Sequence, residues 1–226
     1  MRIGYPGRHP RTLGERVYLA FKEDIIRGVF PSGEAISERV LTKRYKGSRT
    51  PVREAAVRLQ QENLLRIVPN RGYFVSHLSV KETIDTYEYR AAVEGACAEL
   101  AAQKGADPRA MEQLERLAST EYQMYDRESY LRLIVADTAF HVGIAQLTEN
   151  ALLVRSVSNM RCQMERIMYA AIDIGYPGEL TAREHKALLE AIRNQDPQLA
   201  RRLMIAHILA SKDKVLQLAS GGSRLL

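Results

Sequence analysis

The amino-acid sequence predicts a mainly α-helical protein in two parts, and three observations lead to this prediction. Apolar residues recur at helical spacing along most of the chain, whereas residues 64–75 have the composition of β-strands. Hydrophobic residues make up 46% of the 226 residues, which is enough for a buried core. Residues 1–78 carry 15 Lys/Arg against 7 Asp/Glu, and residues 79–226 carry 18 against 20. A basic part followed by a nearly neutral part predicts a polyanion as the partner of the first.

Composition excludes several classes of protein. No apolar run approaches the ~20 residues that cross a membrane. The N-terminus has no charged-then-apolar leader of the secretory type, so we expect a cytoplasmic protein with no membrane partner. Cys97 and Cys162 lie within helical patterns and have no paired spacing. We expect buried reduced thiols without a redox or metal role.

The N-terminal part is predicted to contain a helix-turn-helix. Residues 1–11 are rich in Arg, Pro and Gly and are expected to be a flexible basic arm. Apolar spacing predicts helices over residues 12–28, over about 37–45, and from 50 to at least 59. A tight turn at Lys46-Gly47 separates the last two helices, and this arrangement is typical of a helix-turn-helix.

The last of these helices has the features of a recognition helix. Thr50 is a suitable N-cap, and Pro51 suits the first helical position. Ser48, Arg49 and Arg53 gather at the exposed N-terminal end. Positive charge there conflicts with the helix dipole, and a phosphate backbone would remove the conflict. For this stretch alone, an ordinary solvated helix start is the alternative interpretation.

Two β-rich runs follow this helix and predict a hairpin. Residues 64–68 and 73–75 flank the turn sequence Pro69-Asn70-Arg71-Gly72. A hairpin directly after a helix-turn-helix is a wing, so residues 12–78 are predicted to form a winged helix-turn-helix domain. Arg71, at the tip of the hairpin, is a candidate contact to a minor groove or a phosphate. An exposed turn arginine is the alternative.

Residues 79–218 are predicted to form an all-α six-helix bundle, followed by a tail at 219–226. Helix starts are marked by two predicted capping boxes, Ser79 with Glu82 and Thr181 with Glu184, and by two Asp-Pro pairs, and no β signal interrupts the helices. The predicted helices are 79–104, 108–126, 129–147, 150–174, 180–194 and 197–218.

Four side chains of the helical part are predicted to converge on a metal ion. Asp137 and His141 are four residues apart and share one helix face. His185 and His207 each lie 11 residues from Asp196, in the turn between the last two helices, so both sit ~16 Å from that turn. Three imidazoles and one carboxylate suit Zn²⁺, with Ni²⁺ or Mn²⁺ as alternatives. Unrelated, hydrogen-bonded histidines are the other interpretation.

The N-terminal motifs resemble the winged-helix domain of the GntR family of bacterial transcription regulators. The matching strings are Pro31-Ser32-Gly33-Glu34, Ser37-Glu38-Arg39, Ser48-Arg49-Thr50-Pro51-Val52-Arg53-Glu54-Ala55 and Pro69-Asn70-Arg71-Gly72. The resemblance implies that Arg39, Arg49 and Arg53 contact phosphates and bases of operator DNA. It also implies that Thr50 anchors the recognition helix on the DNA backbone and that Gly72 lets the wing approach the groove.

The sequence departs from this family's usual pattern in two places. Lys46-Gly47 stands where the family usually has glycine and then an apolar residue, and this change bears on turn geometry and operator preference. Asn63 stands where glycine is usual. The second change is mild, because asparagine tolerates a left-handed cap.

The helical part resembles the FCD-type effector domain of the FadR-like subgroup of the same family. The shared pattern is Asp137 with His141, Glu184 with His185, and His207. The resemblance covers residues 12 to about 218 and implies a metal ion that helps to bind a small organic acid. Arg90 would clamp the acid's carboxylate, and an ion pair with Glu94 is the alternative. Asn159 and Arg161 either line the same pocket or lie on the surface.

The leading hypothesis is therefore a ligand-responsive transcription repressor and not an enzyme. It would bind double-stranded operator DNA as a homodimer, and a small organic acid would change the affinity. One alternative makes the metal itself the signal. The other is a metal-dependent hydrolase, which needs a general base beside the metal. Glu184 is expected to point about 100° away from His185 around the helix, which disfavours that reading.

Overall fold

A computed structural model of the chain describes residues 12–30, 32–77, 79–123, 126–170 and 178–220. Within these residues the protein is mainly helical, with nine helices and one three-stranded sheet, so the predicted fold class is confirmed. The predicted basic arm, Pro31 of the predicted turn and the end of the predicted tail lie outside the described residues. None of the described helices combines the length and the apolar character that crossing a membrane requires.

The chain divides into two compact units. They are Met1–Leu78 with Cys162–Ala170, and Ser79–Arg161 with Ala171–Leu226. The sequence placed the whole helix around Cys162 in the helical part, but its C-terminal half belongs to the first unit. There Lys22 Nζ donates to Cys162 Sγ at 2.7 Å, and Arg166 donates to the carbonyl oxygen of Ser76 at 2.9 Å. Helical periodicity does not report which unit a segment packs in.

The first unit is a helix-turn-helix followed by a hairpin. Its elements are α1 (Leu13–Ile26), β1 (Ala35–Ile36), α2 (Glu38–Tyr45), α3 (Arg49–Gln61), β2 (Leu65–Val68) and β3 (Gly72–Val75). β3 lies between β1 and β2 and pairs antiparallel with both. Phe21, Leu41 and Leu59, one from each helix, are fully buried in the core of this unit. The sequence did not predict β1, because two residues are too few to show an alternating pattern.

The start of α3 differs from the sequence prediction. Ser48 is the N-cap residue, so the predicted N-cap, Thr50, lies inside the first turn. Pro51 is accommodated there because the first four N–H groups of a helix have no intrahelical partner. In the preceding turn Lys46, and not Gly47, takes a left-handed conformation, with φ of 49°.

The six predicted helices of the helical part are present, and all but the C-terminal half of the fourth belong to the second unit. They are α4 (Val80–Lys104), α5 (Pro108–Ala118), α6 (Arg127–Leu147), α7 (Ala151–Ala170), α8 (Gly178–Arg193) and α9 (Pro197–Ser220). The predicted capping box of Ser79 and Glu82 is present at the start of α4. α5 ends eight residues before its predicted end at 126, and residues 171–174 of the predicted fourth helix lie outside the described residues.

The other predicted capping box is wrong. α8 begins at Gly178, so Thr181 lies inside the helix and cannot be its N-cap. The carboxylate that was expected to cap the helix, Glu184, instead contacts His207 Nδ1 at 2.7 Å. A sequence match to a capping box therefore gave the right helix but the wrong first residue.

Candidate metal centre and nucleic-acid interface

The structure brings together the four side chains that the sequence predicted to converge. α6 supplies Asp137 and His141, α8 supplies His185, and α9 supplies His207. All four are buried, and one ligand atom from each lies within 4.8 Å of the others. The i, i+4 spacing on α6 and the equal heights on the α8–α9 hairpin account for this convergence.

Two Nε2 ring nitrogens in this cluster, besides Nδ1 of His141, are buried without a hydrogen-bond partner. They are Nε2 of His141 and Nε2 of His185. Each lies 3.7 Å from the same oxygen, Oδ1 of Asp137. Buried polar atoms normally have partners, so the two nitrogens and the oxygen fit a cation placed among them.

Burial and neighbouring charges set protonation states that suit metal ligands. Burial lowers the pKa of His141 to about 4 and lowers the pKa of His185 well below its usual range, so both rings are neutral at pH 7. Burial opposes ionisation of Asp137, but the Arg161 guanidinium outweighs it and holds the pKa of that carboxyl below its usual range. Neutral imidazoles and an ionised carboxylate are the forms that bind metal ions.

Two carboxylates that the sequence did not assign to the site contact its histidines. Glu94 Oε2 lies 2.5 Å from Nδ1 of His141, and Glu184 Oε2 lies 2.7 Å from Nδ1 of His207. Glu94 lies on α4, and periodicity along one helix does not indicate which neighbouring helix it faces. Glu184 was expected to point away from His185 around the helix, but its carboxylate contacts His207, another member of the same cluster.

The three candidate effector residues have different environments. Arg90 is 1% exposed, and its Nε donates to Glu94 Oε1 at 2.7 Å, which is the alternative pairing considered for it. Arg161 is buried and donates to Oδ2 of Asp137. Asn159 is exposed and is not part of the cluster. Residues two apart on a helix point about 200° apart, so an inward Arg161 requires an outward Asn159.

The candidate DNA contacts lie on the surface of the first unit. Exposed positions hold Arg39 on α2, Ser48, Arg49, Thr50 and Arg53 at the start of α3, and Arg71 at the turn between β2 and β3. The side chains of Arg49 and Arg53 are 78% and 63% exposed. Both are paired with Glu38 of α2, at 3.3 Å and 2.7 Å. This surface can present several cations to a phosphate backbone.

Gly72 has an internal structural role in the wing. Its φ is +102°, and a Cβ at this position would come 2.8 Å from the carbonyl oxygen of Ile36 on β1. The residue therefore allows β3 to approach β1, whatever the wing contacts.

Comparisons with known families match both parts of the chain. Residues 13–75 match the family described as bacterial regulatory proteins, gntR family, and residues 85–210 match the FCD domain. The transcriptional repressor RspR of Escherichia coli K12 is 26% identical over 94% of this chain and 93% of its own length. The Nta operon transcriptional regulator of Aminobacter aminovorans is 30% identical over 85% of this chain and 89% of its own.

Solved structures share the fold. McbR/YncC of Escherichia coli superposes with a TM-score of 0.76 at 19% identity, covering 92% of this chain and 99% of that one. A GntR transcriptional regulator from Rhodococcus sp. RHA1 gives a TM-score of 0.72 at 22% identity, covering 90% of this chain and 97% of that one.

Proposed function

Since the chain belongs to the gntR family of bacterial regulatory proteins and carries an FCD domain, and is thus a DNA-binding transcription regulator, we propose that a metal ion and a small carboxylate control its binding to operator DNA. The regulation is proposed to be repression, and the name of the relative RspR as a repressor supports this sense. The hydrolase alternative is wrong, because this is a family of regulators and not of enzymes.

The observation that carries the proposal is the buried cluster with its two unsatisfied Nε2 atoms. Asp137, His141, His185 and His207 would hold the ion, with zinc as the first candidate and nickel or manganese as alternatives. An ion held by four protein ligands can keep further positions for a ligand oxygen. When bound, the ion would supply Lewis-acid chemistry and would bind an anionic oxygen.

The effector is proposed to be a small organic acid that binds beside the ion. Arg161 holds Oδ2 of Asp137 and leaves Oδ1 directed at the cluster, so the protein's own carboxylate occupies one position only. Arg90 remains a candidate clamp, although a bound acid would share its guanidinium with Glu94. An effector acts by binding two states of the regulator with different affinities.

On DNA, the exposed arginines of α2, α3 and the wing are proposed to contact a pseudo-palindromic operator. A homodimer would present two such surfaces to the two half-sites. Light scattering on the purified protein at micromolar concentration tests the stoichiometry, and a monomer on and off DNA would contradict it.

The test of the whole proposal is an electrophoretic shift with the DNA upstream of the protein's own gene. Chelator-treated protein, zinc-loaded protein, and zinc-loaded protein with individual organic acids are compared. We expect one acid to change the affinity of zinc-loaded protein 5- to 150-fold and to leave chelator-treated protein unchanged. His185→Ala should abolish the response, whereas Lys186→Ala, at the adjacent exposed position, should keep it.

Two other outcomes decide between the alternatives. A change of affinity caused by zinc alone, with no further effect of any acid, would make the metal the signal. Absence of DNA binding at low salt in every form would overturn the proposal.

A further inference from the structure

Two of the three cluster histidines contact a carboxylate of another helix through the ring nitrogen Nδ1. Glu94 of α4 contacts Nδ1 of His141 on α6, at 2.5 Å. Glu184 of α8 contacts Nδ1 of His207 on α9, at 2.7 Å. In both pairs the carboxylate lies on the Nδ1 side of the ring. In the His141–Glu94 pair neither Nδ1 nor Oε2 makes a hydrogen bond of acceptable geometry despite the short distance, and Nε2 of His141 also lacks a hydrogen-bond partner.

A carboxylate on one ring nitrogen determines what the other can do. An ionised carboxylate is only an acceptor, so its proximity favours the form of the ring in which Nδ1 carries the hydrogen. In a neutral imidazole this leaves the lone pair on Nε2, which is the form that binds a metal ion. The same contact also fixes the rotation of the ring, since the pair restrains both χ angles.

The side chains that orient the three histidines differ in how firmly they are themselves restrained. Glu94 is itself fixed, because Arg90 donates to its other oxygen at 2.7 Å and both side chains are fully buried. Glu184 is 26% exposed. His185 is oriented differently: its ring stacks on Phe140, with centroids 3.9 Å apart and planes at 17°. Three imidazoles of one cluster are therefore oriented by three different contacts.

We propose that Glu94 and Glu184 are positioning residues that hold His141 and His207 as Nδ1–H tautomers, with Nε2 directed at the cluster. The expected effect on metal affinity rests on the proposed metal centre. The proposed tautomers of the histidines do not depend on that centre, so tautomers and metal affinity can be tested separately.

The first experiment reads the tautomers directly. Long-range ¹H–¹⁵N NMR of histidine side chains is recorded at pH 8 on metal-free full-length protein, where an ordinary imidazole is neutral. His141 and His207 should give the Nδ1–H pattern. Glu184→Ala should move His207 toward the Nε2–H form and leave His141 unchanged. Glu190→Ala removes an exposed carboxylate of the same helix and should change neither. An Nε2–H pattern for His207 in the unsubstituted protein would overturn the proposal.

The second experiment measures zinc affinity by competition with a chromogenic chelator. Glu184→Ala should weaken binding 10- to 100-fold, and Glu184→Gln should weaken it less, because the amide oxygen still accepts from Nδ1. Glu190→Ala should match the unsubstituted protein, and circular dichroism checks that each variant is folded. Equal affinities for all forms would overturn the positioning role while leaving the metal centre intact. No zinc binding by the unsubstituted protein would instead refute the metal centre.

The visible spectrum of cobalt-loaded protein gives a third readout. Cobalt reports the geometry of its ligands, so a shifted band in Glu184→Ala, but not in Glu190→Ala, is expected if His207 loses its orientation. Glu94→Gln is the corresponding variant for His141, although it leaves Arg90 without its charged partner.

Discussion

At the scale of single residues, one carboxylate holds the two arginines that are expected to meet DNA. Glu38 pairs with Arg49 and Arg53, and Tyr73 Oη donates to the same carboxylate at 3.2 Å. The hydrogen bond from Arg53 is the main reason that the pKa of Glu38 lies below its usual value. The arginines are mostly exposed, and exposed ion pairs contribute little to stability. DNA phosphates can therefore replace Glu38 as their partner at small cost.

The alanine variants of these arginines give the first prediction. Arg53→Ala should weaken operator binding by about 1–3 kcal/mol, because a charged contact to a base or phosphate is lost. Arg49→Ala should act in the same direction. The measurement is fluorescence anisotropy with operator DNA at several salt concentrations. Arg132→Ala, an exposed arginine of the second unit, is the control and should bind normally.

The buried histidines give a prediction for stability against pH. Burial lowers the pKa of His141 from 6.5 to about 4, so between these values the unfolded chain binds more protons than the folded one. The contribution of His141 to the free energy of unfolding is then fully present above pH 6.5 and is lost as the pH falls toward 4. Metal-free protein should have a lower Tm at pH 5 than at pH 7, measured by calorimetry. His77→Gln, outside the cluster, should keep this difference, and equal Tm values would contradict the prediction.

At the scale of elements, local capping residues predicted some helix boundaries correctly. Ser79 with Glu82 caps α4, Asp107 caps α5, and Asn63 after α3 has a left-handed φ of 58°. These are local effects of a few neighbouring residues, so the sequence carries them. β1 depends on pairing with β3, and the first residue of α8 does not coincide with a capping motif. Both depend on tertiary contacts that local patterns do not record.

The candidate site also combines features that local spacing predicts with contacts that depend on tertiary packing. The convergence of the aspartate and the three histidines followed from spacing within α6 and across the α8–α9 hairpin. Glu94 and Glu184 act across helices, and no spacing rule pairs α4 with α6. Arg161 and Asn159 were selected together, but helical geometry directs only one of them inward.

The packing of α4 against α9 gives a prediction at Gly95. Alanine normally stabilises a helix interior by about 1 kcal/mol relative to glycine. Here a Cβ would come 2.9 Å from Cγ1 of Ile205, so Gly95→Ala should instead destabilise the protein by about 1–3 kcal/mol. Chemical denaturation measures this. Adding Ile205→Ala should remove most of the penalty relative to Ile205→Ala alone, and a stabilised Gly95→Ala protein would contradict the contact.

At the scale of the whole molecule, the proposed metal would add a direct link among three helices of the second unit. Asp137 and His141 lie on α6, His185 on α8 and His207 on α9. An ion that binds the folded form and not the unfolded chain stabilises by mass action. The binding energy would then contribute directly to the stability of the second unit.

Removal of the metal should therefore lower stability. At a free zinc concentration about 1,000 times Kd, the added stability is about 4 kcal/mol. Calorimetry should show a Tm that falls on treatment with a chelator and recovers when zinc is added. In His207→Ala the addition of zinc should shift Tm much less. A chelator-independent Tm in protein shown to contain zinc would contradict the prediction.

The close approach of Gly72 to Ile36 determines which residues of the wing can be substituted. The neighbouring tip residue Arg71 is exposed, so substitutions there leave the sheet intact, whereas Asn70 has a left-handed φ of 60° that most side chains disfavour. Gly72 is different, because both its φ and the nearby carbonyl oxygen exclude a side chain. Redesign of the operator preference can therefore vary the exposed tip of the wing, provided that this glycine is kept.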